Sequence, residues 1–221
     1  MSNFFSSSIG KKLLMSLAGL FLCTFLVVHL SINILLLRND GGASFRTAVG
    51  FMTTNPLIKA MEIFLFGGFI IHIIWGLILQ VQNWMARPNR YKMTNYSQTS
   101  FFSKYMIHTG AIIFAFLGIH FMNFYFVKLG LVAVPVGAEG RHDFYNMAIN
   151  LFTKPVYSTI YIGFMIFLGF HLNHSFQSAF QTLGINHQKY TPTIKIIGVL
   201  YSVVIPTGFA MIPLYFLFFY K

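Results

Sequence analysis

Five stretches of this chain combine a length and an apolarity that only helices in lipid accommodate. They are residues 13–37, 57–84, 105–127, 155–183 and 196–220. Crossing a bilayer takes about 20 apolar residues. Backbone in hydrocarbon finds no water, so every N–H and C=O must be satisfied within the segment, and a helix does this. The first, third and fourth stretches contain no Asp, Glu, Lys or Arg, and the second carries only Lys59 and Glu62, both near its start. The expectation is an all-α integral membrane protein: five transmembrane helices in a single domain over 1–221. Pro206 and Pro213 are expected to bend or break the fifth.

Composition agrees. Charged residues make up 9% of the 221 positions, mean hydropathy is +0.68, and soluble domains carry about 25% charged residues. The net charge of +11 does not point to nucleic acid, because the bases are scattered through loops and form no stripe. Anionic lipid is the natural partner of such a surface. The lone cysteine, Cys23, excludes an intrachain disulfide and a cysteine-ligated iron–sulfur cluster within this chain. Lys11 and Lys12 resemble the start of a signal peptide, but the apolar run behind them is too long and lacks a small-residue cleavage site. The connections 38–56, 85–104 and 128–154 are each long enough for a short surface helix.

Loop bases set the orientation. With the N-terminus in the cytoplasm, that side holds eight bases (Lys11, Lys12, Arg87, Arg90, Lys92, Lys104, Lys189, Lys195) and the other side seven. The dense Arg87/Arg90/Lys92 group favours a cytoplasmic N-terminus. All four acids, Asp40, Glu62, Glu139 and Asp143, then fall on the opposite side.

Four stretches carry a histidine near mid-bilayer depth: His29, His72, His120 and His171. Ionisable groups inside a membrane are rare and mark functional sites. Counting along alternating spans places His29 and His120 toward the outer face, and His72 and His171 toward the inner one. Two histidine pairs at two depths follow. Two imidazoles make a poor zinc site, since structural zinc takes four protein ligands. A haem iron already has four equatorial nitrogens and takes histidine axially, and helix bundles build cofactor sites from facing helices. Iron ligated by two histidines has no vacant position, so its chemistry is electron transfer. A proton relay is the rival reading, but relays also use membrane Asp or Glu, and only Glu62 lies at a span's edge. A single membrane histidine often merely bonds a neighbouring helix.

Other residues carry weaker signals. His174 follows His171 by three, shares its helix face and is the alternate ligand. Asn33 and Asn123 lie on the faces of His29 and His120, where they suit packing, a propionate or a quinone. Gly67, Gly68, Gly76, Gly118 and Gly169 permit close approach of a macrocycle or of another helix. Trp84, Tyr91, Tyr96, Phe101, Phe102 and Tyr105 read as interfacial anchors. His108 suits a headgroup or a haem edge, and His142 and His187 sit in loops without an assigned role.

The stretch His171-Leu-Asn-His174-Ser-Phe-Gln-Ser-Ala-Phe-Gln-Thr-Leu-Gly184 resembles the fourth-helix signature of the cytochrome b subunit of succinate dehydrogenase and fumarate reductase. The resemblance is to the bacterial single-anchor, two-haem type, and covers nearly the whole chain through its order of spans and histidines. It implies a multi-pass subunit of the bacterial cytoplasmic membrane that anchors a flavoprotein subunit and an iron–sulfur subunit and exchanges electrons with menaquinone or ubiquinone through two haem b groups. It implies that His72 and His171 hold the proximal haem and that His29 and His120 hold the distal one. Ser175, four after His171, matches the small residue that follows the ligand in that family. An acidic residue is implicated in quinone chemistry near the distal haem, and Glu62 is the candidate here. It also suits a place in the interface beside Lys59. Gln80, Asn83 and His108 keep a site on the other side open. The alternatives are the cytochrome b anchor of a hydrogenase or formate dehydrogenase, and a haem-free transporter.

Overall fold

The structure, a computed structural model, describes residues 7–85 and 105–220. The Arg87/Arg90/Lys92 group, Lys104, Tyr91, Tyr96, Phe101 and Phe102 lie outside the described residues, as does most of the 85–104 connection. Helix α1 spans Ser8–Asn33 and continues as a 3-10 turn, Ile34–Leu37. Helices α2 (Ala43–Thr54) and α3 (Pro56–Met85) follow. Helix α4 (Met106–His120) runs through a π turn, Phe121–Tyr125, into α5 (Phe126–Leu129). Helices α6 (Phe144–Phe152), α7 (Pro155–Thr182) and α8 (Thr191–Phe218) complete the chain. Five helical segments are long and apolar enough to cross a membrane: Ile9–Leu37, Pro56–Met85, Met106–Leu129, Pro155–Thr182 and Thr191–Phe218. This is an all-α, multi-pass membrane protein.

Local chemistry sets the helix starts. Ser7 accepts from the Gly10 N–H at 3.0 Å and caps α1. Asn55 accepts from Leu57 N–H at 2.9 Å and caps α3, whose first residue, Pro56, has no N–H to leave unpaired. Pro155 begins α7 in the same manner. The fifth span differs from expectation, because α8 runs unbroken through Pro206 and Pro213. Pro206 cannot donate to the Ser202 carbonyl. That carbonyl faces Gly169 on α7 so closely that a Cβ there would lie 3.0 Å from it. Neighbouring helices shelter such freed groups in membranes.

The end carrying the N-terminus is the near end, and the opposite one the far end. Helix α1 packs along α3 and α7, α7 packs along α4 and α8, and α3 meets α4 at few points. The order around the bundle is therefore α3, α1, α7, α4, with a seam between the first and last. A central cluster of Cys23, Leu30, Met165, Leu168, Leu172 and Ile205 binds α1, α7 and α8. A second cluster at the far end contains Phe45, Tyr145, Ala148, Phe152, Tyr161 and Phe216. There α2 and α6 close the bundle, one in each of the long far-end connections.

The far-end cap is tied by charge. Asp143 caps α6, accepting from Glu139 N–H at 3.0 Å and Asn146 Nδ2 at 2.7 Å. Arg46 lies 3.5 Å from it and 4.6 Å above the Tyr145 ring. Burial pushes the Asp143 carboxyl up, but the Glu139 and Asn146 hydrogen bonds and Arg46 outweigh it and hold the group below its usual value of 3.8. Asp40 is also held low, chiefly by its bond with Ser44. A carboxylate with a depressed folded pKa stabilises the fold above its unfolded pKa, and that contribution fades as pH falls through the folded value. Asp143→Ala is expected to cost about 1 kcal/mol at neutral pH. The deficit relative to the unaltered chain should shrink below about pH 4, as read by thermal unfolding in detergent. A deficit that persists unchanged at pH 3 would show that the carboxylate charge is not what holds the cap.

Candidate metal centres

The structure brings the four membrane histidines together as two pairs. His29 and His120 have ring centres 5.8 Å apart, with planes crossing at 86°. His72 and His171 have ring centres 6.2 Å apart, with planes at 77°. Each pair spans a diagonal of the bundle, α1 with α4 and α3 with α7. Neither pair needs its two helices to touch, so the space between them belongs to the rings.

Depth sorts the pairs. His29 and His120 stand 8 and 9 residues from the far ends of their spans, and His72 and His171 each stand 16. At 1.5 Å per residue the two levels differ by about 10 Å.

The surroundings are apolar and aromatic. His29 lies against Phe25 at 5.2 Å and Phe209 at 5.6 Å. His120 lies against Phe116 at 5.7 Å, Phe124 at 5.2 Å and Tyr161 at 6.3 Å. Glycines of neighbouring helices make room for the other pair. A Cβ on Gly19 of α1 would lie 3.5 Å from His72 Cε1, and one on Gly110 of α4 would lie 3.6 Å from His171 Cε1.

The donor set suits a metal already held in a macrocycle. An imidazole nitrogen sits about 2 Å from its metal, and its ring centre roughly 1 Å beyond. Two rings on opposite sides of one ion thus have centres about 6 Å apart, close to both observed separations. Among the described residues no third His, Cys, Asp or Glu joins either pair to hold a bare ion. Nδ1 of His72 and of His120 is buried without a hydrogen-bond partner among the described residues. Buried polar atoms are normally paired, and these two ring nitrogens are exceptions among the described residues.

The remaining candidates fall into place individually. The ring that meets His72 is that of His171; His174 lies one turn closer to the near end, partly buried. Asn33 Nδ2 donates to the His29 carbonyl at 2.8 Å and passes 3.4 Å from its Nδ1. Asn123 Nδ2 donates to the Tyr161 hydroxyl at 2.9 Å. Ser175 donates to the Leu172 carbonyl at 3.3 Å. His108 is exposed and rests on Tyr105, 5.8 Å between ring centres. His142 meets Phe144, and His187 meets Tyr190. Of the glycines singled out, Gly68 faces Phe21, Gly76 faces Met15 and Gly169 faces α8, all as helix-packing positions.

Glu62 pairs with Lys128. Lys128 Nζ donates to both of its carboxylate oxygens, at 2.9 and 3.0 Å, across the seam between α3 and α5. Both side chains are about one-quarter exposed. One turn deeper, Phe66 packs on Tyr125 at 4.9 Å and Phe121 at 5.7 Å. The Tyr125 side chain also bonds Glu62, and Lys128 Nζ lies 5.3 Å over the Tyr125 ring.

Sequence reasoning missed Gly19, Gly110, Tyr161 and Lys128. A signal existed for Lys128, the cation ending the third span just where the second span, running antiparallel, carries its acid.

No family model, curated protein or solved structure matches the chain.

Proposed function

We propose that the protein is a dihaem cytochrome b, the membrane-anchor subunit of a succinate:quinone oxidoreductase in the bacterial cytoplasmic membrane. The observation that carries this reading is the pair of diagonal histidine couples, each with the ring separation that one six-coordinate iron requires, stacked at two depths. The likeness of the fourth span to that family's signature supports the choice of complex and of partners, a flavoprotein and an iron–sulfur subunit on the cytoplasmic face.

His72 and His171 would hold the haem nearer those partners, and His29 and His120 the farther one. When bound, each haem supplies a one-electron couple between ferric and ferrous iron. The chain contributes the rest. The four histidines would hold the two irons, and a histidine on each side would leave neither oxygen nor substrate a place on the metal. Phe25, Phe116, Phe124 and Phe209 keep water from the far couple. Burial and the ligands' own hydrogen bonds set the potentials. At the far end, Glu62 is the group in reach of the interface that can hold or release a proton at a carboxylate oxygen, as quinone reduction and quinol oxidation demand. Lys128 holds that carboxylate in place between turnovers.

A pyridine haemochrome assay of the purified chain tests the reading, with two haem b per polypeptide expected. Near-perpendicular imidazole planes further predict a strongly anisotropic low-spin ferric resonance. A colourless protein overturns the reading. Co-purification with a nickel or molybdenum enzyme, in place of a succinate-oxidising flavoprotein, would assign the cytochrome to another respiratory complex. Glu62→Gln should slow quinone-coupled turnover by about 100-fold, the scale of a lost acid–base group, with both haem spectra intact. Unchanged turnover would remove Glu62 from the site.

A further inference from the structure

One ring of the four is treated differently by its surroundings. His171 Nδ1 lies 3.3 Å from the Thr109 hydroxyl oxygen on α4. The same hydroxyl lies 3.0 Å from the Met106 carbonyl, one turn back on its own helix. A threonine hydroxyl has a single proton to donate and two lone pairs to accept with. A carbonyl can only accept, so both contacts are hydrogen bonds at once only when the proton goes to Met106. In that arrangement the Thr109 oxygen faces Nδ1 with a lone pair, and Nδ1 carries the ring's hydrogen.

Placement supports a dedicated role. Thr109 and His120 are 11 residues apart on the third span, about three full turns, and so share one face of the helix. That single face supplies His120 to the far couple and Thr109 to the near one. Gly110, beside Thr109, lets the His171 ring lie close to α4, with Cε1 3.6 Å from where a Cβ would stand. Among the described residues no side-chain hydroxyl meets His72 Nδ1 or His120 Nδ1, although the His72 ring also has the Met15 backbone as a hydrogen-bond partner. The Asn33 amide nitrogen, a donor, lies 3.4 Å from His29 Nδ1.

We infer that Thr109 is a positioning residue for the near couple: its hydroxyl accepts from His171 Nδ1–H, fixes the tautomer that leaves Nε2 for iron, and lowers the potential of the iron that Nε2 holds. The inference rests on the haem reading above. Metal-bound histidines characteristically give their other N–H to a fixed acceptor, which orients the ring and raises its basicity. A more basic imidazole stabilises ferric over ferrous iron. Loss of the acceptor therefore raises the midpoint potential.

The test is a spectroscopic redox titration of the haem-loaded chain, with the near component also titrated alone in a His120→Ala background. Thr109→Val keeps the shape and removes the acceptor. Thr109→Ala removes it without the branched side chain, should valine disturb folding. Thr109→Ser restores the hydroxyl. Valine and alanine are expected to raise the near potential by an amount equal to about a threefold change in the ferric-to-ferrous ratio. That is about 30 mV at 59 mV per decade for a one-electron couple. Serine should return it to the unaltered value, and the far component should not move. An unmoved near potential in valine and alanine overturns the inference and leaves the haem reading standing. So does a serine variant shifted as far as valine, since packing and not the hydroxyl would then be at work. Absence of haem from the unaltered chain overturns both.

Discussion

With haem held as proposed, replacing His29 or His120 with alanine should remove one haem of two and leave the other with its absorption band and potential unchanged. The expected haemochrome count falls from two per chain to one. The reason is geometric. The two couples sit on different diagonals and about 10 Å apart in depth, so no ring of one pair can reach the other pair. His29 and His120 act as a unit, with ring centres 5.8 Å apart. The double variant should therefore lose no more haem than either single one, a non-additivity expected of groups sharing one site. His29→Ala combined with His72→Ala should lose both haems. His171→Ala should remove the near haem, and His174→Ala should leave it, because His171 is the ring that faces His72. Loss of both haems from a single replacement in a chain that still folds would show that the pairs are not independent. Retention of both would show that the pairing is wrong.

The spans were legible because lipid leaves the backbone few choices. A long uncharged run must be helical, and the described ends differ from the apolar ends by only a few residues. The extensions come from polar starts such as Ser7 and Thr191, which a hydropathy reading trims away. The continuity of α8 was not legible. Proline's local effect is to break a helix, and only the position of Gly169 against the Ser202 carbonyl shows why it does not do so here. Depth along a span could be counted from sequence, and so could the levels of the histidines. What crosses between helices could not. The spacing of residues on one helix says which face they share, but nothing about which side chain of another helix waits opposite. Glu62 illustrates this, since Lys59 is its sequence neighbour and Lys128 its partner. Thr109 does too, lying 62 residues from the ring it touches. The π turn at Phe121–Tyr125 was equally hidden. It adds a residue just after His120, and such insertions tend to occur at functional sites.

Tyr161 ties that turn to the far-end cluster. Tyr161 is 5% exposed. Its ring meets Phe116 at 5.2 Å, Phe152 at 5.1 Å and His120 at 6.3 Å. Its hydroxyl accepts from Asn123, within the turn itself. Removing a large buried aromatic side chain costs about 3–5 kcal/mol in soluble cores. In lipid the transfer contribution is small and packing dominates, so Tyr161→Ala should fall near the lower limit, about 3 kcal/mol. For a chain of this length that corresponds to a loss of roughly 6–12 °C in melting temperature. Tyr161→Phe keeps the ring and strands one Asn123 N–H, so about 1 kcal/mol is expected. Ile166→Ala on the same helix, at a position 58% exposed, should change little and serves as the reference. Thermal unfolding in detergent orders the three. Because the ring also walls His120, Tyr161→Ala should weaken haem retention at the far couple before the near one. A variant as heat-stable as Ile166→Ala would mean that the far-end cluster is held by α2 and α6 alone. In that case no coupling would run from the cap through Tyr161 to His120.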